Sequence, residues 1–391
     1  ENYGRIDPKT GIHTRLLDFK HSLDTCIDRA VSENIDAFVF AGDAYKTAHP
    51  TPTQQRLLMQ SFFKLYHAGI PVVIVVGNHD NPLSFGKAHA LDVFRELPVD
   101  GFYVFSQPDL VVIPTKSGPL QVVGVPWPTR HLLLSSGDFA VQKTSEITEY
   151  LARAVSDIVS HYAVQLDPNM PAIVVGHLTV SNGIFSGSEK CAVLGSDPIV
   201  LVSQLALPEY DYVALGHLHR HQNLNAGGYP AVVYAGSIDR VDFGERREQK
   251  GYCDVRIEVG IPPEPSEVRH YATRASYEFI PLATRPFVQI EVTLRDDAES
   301  HTEQLIAAIG SHDIDQAIVK MVYHVPAGMQ DVVDLAALHR ALQAAAFVVG
   351  IFPVRAPDKR IRRTSVHTSM DAEKLLDAYV DTRPNLMASR E

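Results

Sequence analysis

Four apolar stretches in the first 220 residues each end in a glycine that is followed at once by residues able to bind a metal ion. They are AFVFAGD, ending at Asp43; VVIVVGNHD, which carries Asn78, His79 and Asp80; AIVVGH, ending at His177; and YVALGHLH, which carries His217 and His219. Carboxylate, amide and imidazole ligands without a thiolate suit Mn²⁺, Fe²⁺ or Zn²⁺. Any one of these residues alone would more often be a helix cap or a turn residue. Their repetition in one setting favours a metal centre.

The elements that must position these residues follow from the same stretches. Short apolar runs rich in β-branched residues are typical of buried strands, and open α/β sheets bind ligands at the carboxyl ends of their strands. A glycine at that point permits a tight turn and a close approach of the backbone. Helical spacing of apolar residues occurs at 14–34, 53–67, 146–162 and 198–205. This alternation predicts an α/β sandwich with helices outside the sheets.

The number of candidate ligands indicates more than one ion. Asp43, Asn78, His177, His217 and His219 exceed what one tetrahedral zinc ion needs, whereas two ions bridged by Asp43 would use them all. Two ions about 3.5–4 Å apart can activate a water and stabilise both oxygens of an in-line displacement at phosphorus. His79 directly follows a ligand, so we expect it to donate a proton or hydrogen bond to the phosphate, with Asp80 orienting it.

Composition limits the class of protein. The chain has 391 residues, of which 45% are hydrophobic and 21% charged, an ordinary globular balance for about two domains. Cys26, Cys191 and Cys253 lack CxxC spacing, so neither a disulfide framework nor a thiolate site is expected. Without an apolar run of about 18 residues or a signal peptide, we expect a cytoplasmic protein.

The charge balance is unusual for a protein that binds nucleic acid. The net charge is −11, whereas phosphate contacts come from Lys and Arg. Basic residues do cluster, in one group of Lys359, Arg360, Arg362 and Arg363 and in another of Arg240, Arg246, Arg247 and Lys250. Each cluster is either a DNA-binding surface or a solvated surface.

Breaks in the pattern predict the domain organisation. Residues 1–260 form the first domain, and the proline-rich stretch 261–284 is interpreted as a linker. Residues 285–369 alternate strand and helix patterns typical of a small α+β domain, and 370–391 hold an amphipathic helix. Leu375, Leu376 and Tyr379 share one side of that helix, which either packs on its own domain or docks on a partner.

The motifs AGD, GNHD, GH and GHLH, in this order, resemble those of the calcineurin-like metallophosphoesterases. More narrowly, YDYVALGHLHRHQ at 210–222 and YAGSIDRVDFGERREQKGY at 234–252 resemble the SbcD family of bacterial nuclease subunits. The second stretch is the more specific, because many phosphatases share the metal motifs. The resemblance covers about 250 residues well and implies a metallophosphoesterase β-sandwich flanked by helices, a small α+β capping domain and a C-terminal partner-binding helix.

This resemblance also implies a function. It predicts a manganese-dependent nuclease that is an exonuclease on double-strand ends and an endonuclease on single strands and hairpins, for which Mg²⁺ is the other candidate ion. Asp43 would bridge two ions, Asn78, His177 and His217 would complete one, and His219 would bind the other; His79 would act in the transition state. Arg240 would shape the rim of the site or form a structural turn. The expected partners are a second copy of the chain and an SbcC-type SMC-like ATPase, which brings ATP to DNA repair and recombination at the nucleoid.

One family motif, an Asp-x-His after the first strand, is absent from the sequence. Because the chain opens with a helical pattern, we expect a strand and this motif to precede Glu1; without them the ion at His219 keeps half its ligands. Two other functions stay open: an architectural subunit that binds DNA ends or SbcC without cutting, and a phosphodiesterase for small nucleotides, which the acidic charge mildly favours.

Overall fold

The apolar runs that precede the predicted ligands form parallel strands of two sheets. The computed structural model describes residues 3–82, 88–129, 144–187, 197–260, 273–295 and 300–356. The chain divides into two compact units, Glu1–Phe287 and Val288–Glu391. The predicted division into four segments places its boundaries elsewhere, and it stays a prediction.

The strands of the first unit make two main sheets and two further pairs. In chain order they are β1 (Phe38–Phe40), β2 (Val72–Val75), β3 (Phe102–Phe105), β4 (Asp109–Thr115), β5 (Gly118–Val125), β6 (Ala172–His177), β7 (Thr179–Val180), β8 (Ile199–Val200), β9 (Tyr212–Gly216), β10 (Gln222–Asn223), β11 (Ala231–Tyr234), β12 (Gly251–Val259) and β13 (Thr273–Pro281). One sheet is parallel, in the order β1-β2-β3. The other has the order β10-β11-β9-β6-β5-β4, with antiparallel pairing only at its two edges. The remaining strands form the antiparallel pair β12-β13 and the short parallel pair β7-β8.

Helices cover the outer side of each sheet. They are α1 (Thr14–Ser32), α2 (Pro52–His67), α3 (Asp92–Glu96), α4 (Thr144–Ala163) and α5 (Val202–Leu205), with a 3₁₀ turn at Phe243–Glu245. Along β2, Val72 and Ile74 pack against α1 and α2, whereas Val73 and Val75 face the six-stranded sheet. The other side of that sheet packs against Val155 of α4. This two-sided burial confirms the predicted sandwich flanked by helices.

Local sequence explains where helix α2 begins. The Thr51 hydroxyl accepts a hydrogen bond from the backbone N–H of Gln54, and the Gln54 side-chain oxygen accepts one from the backbone N–H of Thr51. Pro52 occupies the first turn, where its missing N–H is not needed. Leu58 and Phe62 then lie on the buried side of the helix. The start and the orientation of α2 therefore follow from a short stretch of sequence.

Two local predictions from the sequence are wrong. The helix predicted at 198–205 is the strand Ile199–Val200, paired with β7, followed by a single helical turn. The segment 261–284, predicted as a linker, contains β13, which pairs along its whole length with β12. Alternation of half-buried Ala275, Tyr277 and Phe279 with exposed neighbours marks this strand.

The second unit is a small α+β structure, as predicted. It contains β14 (Phe287–Thr293, which begins at the boundary), α6 (His301–Gly310), β15 (Ile318–Val325), α7 (Leu335–Ala341) and β16 (Phe347–Arg355). The sheet order is β14-β15-β16, and α6 and α7 contribute Leu305 and Leu338 to its core. The predicted DNA-binding residues Lys359, Arg360, Arg362 and Arg363 and the predicted partner-binding residues Leu375, Leu376 and Tyr379 lie outside the described residues. Among the helices that are described, none could cross a membrane.

Candidate metal centre

The predicted ligands lie at the carboxyl ends of parallel strands from both sheets. Asp43 follows β1, Asn78 follows β2, His177 is the last residue of β6, and His217 comes directly after β9. This is the edge at which open α/β sheets bind ligands. The four residues are far apart in sequence, yet the contacts below bring them together.

His177 and Asn78 form the centre of the cluster. The His177 imidazole is fully buried, and its Nε2 lies 3.1 Å from Asp43 Oδ2 and 3.0 Å from Asn78 Oδ1. Its Nδ1 lies 2.7 Å from the carbonyl oxygen of Ala41, which can only accept a hydrogen bond. Nδ1 therefore carries a proton, and Nε2 is the nitrogen that faces the other ligands.

His217 faces Asn78 with Nδ1, whereas His177 faces it with Nε2. Its Nδ1 lies 3.2 Å from Asn78 Oδ1, and its Nε2 lies 3.4 Å from Asp197 Oδ2. That Nε2 is buried and makes no hydrogen bond of good geometry with the described residues. His217 thus presents Nδ1 to the cluster, and Asp197 lies near the Nε2 side of its ring.

The spacing of these atoms fits a divalent ion. Asp43, His177 and His217 each offer a ligand atom within 4.8 Å of the other two. Ligands held about 2.1 Å from one ion and at right angles to each other lie about 3.0 Å apart, and the measured distances from His177 Nε2 to Asn78 and Asp43 are 3.0 and 3.1 Å. Mixed oxygen and nitrogen donors of this kind suit Mn²⁺, Fe²⁺ or Zn²⁺. Asp43, Asn78, His177 and His217 could therefore hold one ion.

The glycines before the ligands are required by close packing. A Cβ on Gly42 would overlap His177 Nδ1, and one on Gly77 would overlap the carboxylate and backbone nitrogen of Asp43. A Cβ on Gly216 would overlap the Ala41 carbonyl oxygen that holds His177. Gly42 also has a φ of +96°. Gly42 and Gly77 therefore make room for a candidate ligand from another motif, and Gly216 makes room for the carbonyl oxygen that holds His177.

The charges in the cluster favour an anionic Asp43. Burial would raise the pKa of Asp43, but the charge and hydrogen bond of His177, and then His79, outweigh burial and hold the pKa at about 2. Burial would lower the pKa of His177, but the charge of Asp43 and its hydrogen bond raise it. His177 Nε2 faces the Asp43 carboxylate, so an ion bound there would take the place of a proton on this nitrogen.

Asp80 holds the backbone of the site. Its carboxylate accepts hydrogen bonds from the backbone N–H groups of Gly77 at 3.1 Å, Tyr45 at 3.1 Å and Ala44 at 3.3 Å. Burial and then the charge of Asp43 raise its pKa to about 6. None of its contacts with described residues reaches the His79 imidazole, so the predicted orienting role lacks support. Asp80 instead ties together the two loops that carry Asp43 and Asn78.

His79 is placed to act on a bound molecule. Its backbone N–H donates to Asp43 Oδ1 at 2.9 Å, which fixes the loop, and its side chain is exposed. His219, by contrast, is not in the cluster of Asp43, His177 and His217 identified among the described residues. Its Nδ1 lies 2.8 Å from Glu245 Oε1. A separate position for His219 is compatible with a second ion, and this role stays a prediction.

The sequence prediction missed three residues near the site. Asp197 faces His217, Glu245 contacts His219, and the ring of Trp127 lies 4.8 Å from that of His217. Trp127 is the only tryptophan of the chain, and it follows the carboxyl end of β5, as the ligands follow theirs. Its position after an apolar strand could therefore have placed Trp127 near the site from the sequence alone. Asp197 and Glu245 follow no motif of this kind.

The second basic cluster is largely structural. The Arg240 guanidinium donates to the Glu248 carbonyl at 2.9 Å and to Thr284 Oγ1 at 2.5 Å. Lys250 is fully buried and pairs with Glu245 at 2.8 Å. Both cations are thus directed into the protein, which favours the structural-turn interpretation of Arg240 over the DNA-binding one. Arg246 also bonds its own turn, at the Phe243 carbonyl.

Comparison with known proteins gives this site a family. The model of the calcineurin-like phosphoesterases matches residues 12–221, which is more than half of the chain and includes all four ligand-bearing stretches. The chain belongs to this family, as its motifs predicted. Among curated proteins, it is similar to the SbcD subunit of the nuclease SbcCD from Staphylococcus saprophyticus subsp. saprophyticus, with 27% identity over 280 residues. That match spans 71% of this chain and 66% of the relative, just under two thirds of the relative's length.

Proposed function

We propose that this protein is a metal-dependent DNA nuclease of the SbcD kind. The observation that carries the proposal is the convergence of Asn78 Oδ1 and Asp43 Oδ2 on His177 Nε2, each at about 3 Å, with His217 Nδ1 beside them. The similarity to the SbcD subunit of the nuclease SbcCD favours DNA as the substrate within the phosphoesterase class.

Each residue then has a distinct task. Asp43, Asn78, His177 and His217 would hold one ion, and Asp43 with His219 would hold a second. Divalent ions bound there would supply Lewis-acid chemistry at the phosphorus atom. The exposed His79 donates a proton or hydrogen bond to the phosphate or the leaving oxygen. Asp80 keeps the Asp43 and Asn78 loops together through three backbone N–H groups.

The wider proposal follows the relative. We expect manganese as the preferred ion, with magnesium as the other candidate, and cutting of double-strand ends, single strands and hairpins. The partners are an SbcC-type SMC-like ATPase, through which ATP acts, and a second copy of the chain, in DNA repair, recombination and replication at the nucleoid. Partly exposed Met59 and Phe63 on α2 form an apolar patch that supports a dimer contact by this helix.

The test is cleavage of a hairpin-ended duplex in Mn²⁺ by the full chain, together with any residues that precede Glu1 in the native protein. His79→Ala should lower the rate by about 10²–10⁴-fold, the usual contribution of a proton donor. It should leave Mn²⁺ binding unchanged, because His79 contacts Asp43 through its backbone N–H. His161→Ala, an exposed histidine at the end of α4, is the matched control and should cut normally.

Three results would contradict the proposal. Tight binding of DNA ends without cutting, even with the SbcC-type partner and ATP, would favour the architectural function. Hydrolysis of small nucleotides but not of DNA would favour the phosphodiesterase. Loss of Mn²⁺ from His79→Ala would remove the proton-donor role of His79.

A further inference from the structure

A buried ion pair lies directly behind His219, outside the cluster of Asp43, His177 and His217. Glu245, in the 3₁₀ turn after Asp242, has no exposed side-chain surface, and neither has Lys250. Their charged atoms lie 2.8 Å apart, and the other oxygen of Glu245 lies 2.8 Å from His219 Nδ1. Two fully buried opposite charges in contact with a predicted metal ligand call for a physical explanation.

The two oxygens of Glu245 have separate partners, and this determines what His219 can do. Oε2 accepts from Lys250 Nζ and from the backbone N–H of Val241 at 3.0 Å, which leaves Oε1 to face His219 Nδ1. An ionised carboxylate can only accept hydrogen bonds. His219 Nδ1 must therefore carry the proton, and in the neutral ring Nε2 is the nitrogen with the lone pair.

Lys250 stabilises this arrangement through contacts with both the Glu245 carboxylate and the backbone of His219. Besides Glu245, its ammonium group donates to the carbonyl oxygen of His219 at 3.0 Å and to Glu248 Oε2 at 3.1 Å. The lysine thus holds the backbone of His219 and the carboxylate that contacts its ring. It also balances the Glu245 charge, so this carboxylate adds no net negative charge next to the site.

We propose that Glu245, held by Lys250, is a positioning residue that fixes the tautomer and ring direction of His219 so that Nε2 binds a divalent ion. This inference rests on the proposed function, in which His219 is a ligand. Carboxylates that hold the second nitrogen of a metal-binding histidine commonly raise metal affinity by about 10- to 100-fold. The Lys250–Glu245–His219 chain has that arrangement.

Glu245→Gln tests the proposal with almost no change in shape. The amide oxygen of the introduced glutamine would stay with Lys250 and the Val241 N–H, which are both donors, because the NH₂ group cannot replace it there. The NH₂ group would then face His219 and donate to Nδ1, which forces the proton onto Nε2. We expect histidine ¹⁵N NMR of the metal-free protein, assigned with His219→Ala, to show the tautomer switch. Mn²⁺ binding by equilibrium dialysis should lose the weaker-bound ion or weaken it by about 10-fold or more.

Glu248→Gln is the matched control, because it removes the same charge next to the same lysine while leaving the Glu245 contact to His219 in place. It should keep the wild-type tautomer and the wild-type Mn²⁺ isotherm. If Glu245→Gln does not fold, the double variant with Lys250→Met carries the same readout, since the Val241 N–H still attracts the amide oxygen. An unchanged His219 tautomer would overturn the inference. No Mn²⁺ binding by the wild-type chain would instead contradict the proposed function and leave the tautomer result intact.

Discussion

Replacing Gly42 by alanine should separate the packing of the site from ordinary backbone strain. Gly42 has a φ of +96°, and a Cβ there would overlap Nδ1 of the buried His177 ring. Gly69 is the matched control, because it has a φ of +69° and nothing within 4 Å of an added Cβ. Both substitutions place an L side chain in left-handed backbone, but only Gly42→Ala also displaces a ligand.

The expected difference follows from the contacts that His177 would lose. Left-handed backbone costs a non-glycine residue about 1–3 kcal/mol at either position. At Gly42 the ring must also move away from the Ala41 carbonyl, to which it bonds at 2.7 Å. A buried hydrogen bond broken in this way costs about 1–3 kcal/mol more. Gly42→Ala should therefore destabilise the first unit by about 1–3 kcal/mol more than Gly69→Ala.

Trp127 provides the assay, since it is the only tryptophan and lies beside His217. Urea unfolding followed by its emission reports on the first unit, and EDTA removes any stabilisation by bound metal. Mn²⁺ titration of the same emission then reports on the site. We expect Gly42→Ala to lose Mn²⁺ affinity and Gly69→Ala to keep it. Equal destabilisation of the two variants with equal Mn²⁺ affinity would refute the packing argument.

Two further predictions concern a candidate metal ligand and the loss of folding stability at low pH. His217→Ala should lose both Mn²⁺ binding in dialysis and DNA cleavage, because it removes the Nδ1 that faces Asn78; retained Mn²⁺ would disprove its role as a ligand. Burial would raise the pKa of Asp18, but hydrogen bonds from Arg285 and Arg15 outweigh it and lower the pKa. The contribution of ionised Asp18 to folding stability is therefore fully present above the pKa of about 3.9 in the unfolded chain. It is lost as the pH falls through the lower pKa of the folded protein. Asp18→Asn should lower the urea midpoint at neutral pH and converge with wild type in acid; a constant difference at every pH would contradict the pairing.

The clustering of Asp43, Asn78, His177 and His217 could be predicted from the sequence because each part of the signal is local. An apolar strand, a glycine and a ligand are consecutive in the chain, and parallel strands bring their carboxyl ends together. The sequence could not show that the glycine of one motif makes room for the ligand of another, as Gly42 does for His177. It could not reveal β13 either, because the prolines before it suggested a linker and its alternation is only half-buried.

Charged residues were harder to interpret, because their roles depend on partners far away in the chain. Arg15 pairs with Asp239 across 224 positions, and Lys250 is buried although its neighbours in sequence are polar. The run of basic residues suggested a surface, but of its members only Arg247 is exposed and Lys250 lies in the interior. Asp80 shows the same difficulty, since it is adjacent to His79 in sequence but its carboxylate accepts hydrogen bonds from backbone N–H groups.

The three histidines are alike in sequence, yet their rings have different neighbours. A carbonyl oxygen at Ala41 holds Nδ1 of His177 and Glu245 holds Nδ1 of His219, whereas His217 turns its Nδ1 toward Asn78 and its Nε2 toward Asp197. Because an acceptor on one nitrogen leaves the other with the lone pair, Ala41 and Glu245 decide which atom His177 and His219 offer to an ion. Two rings then offer Nε2 and one offers Nδ1. The GH motif specifies where a histidine lies, but residues outside the motif specify which nitrogen binds.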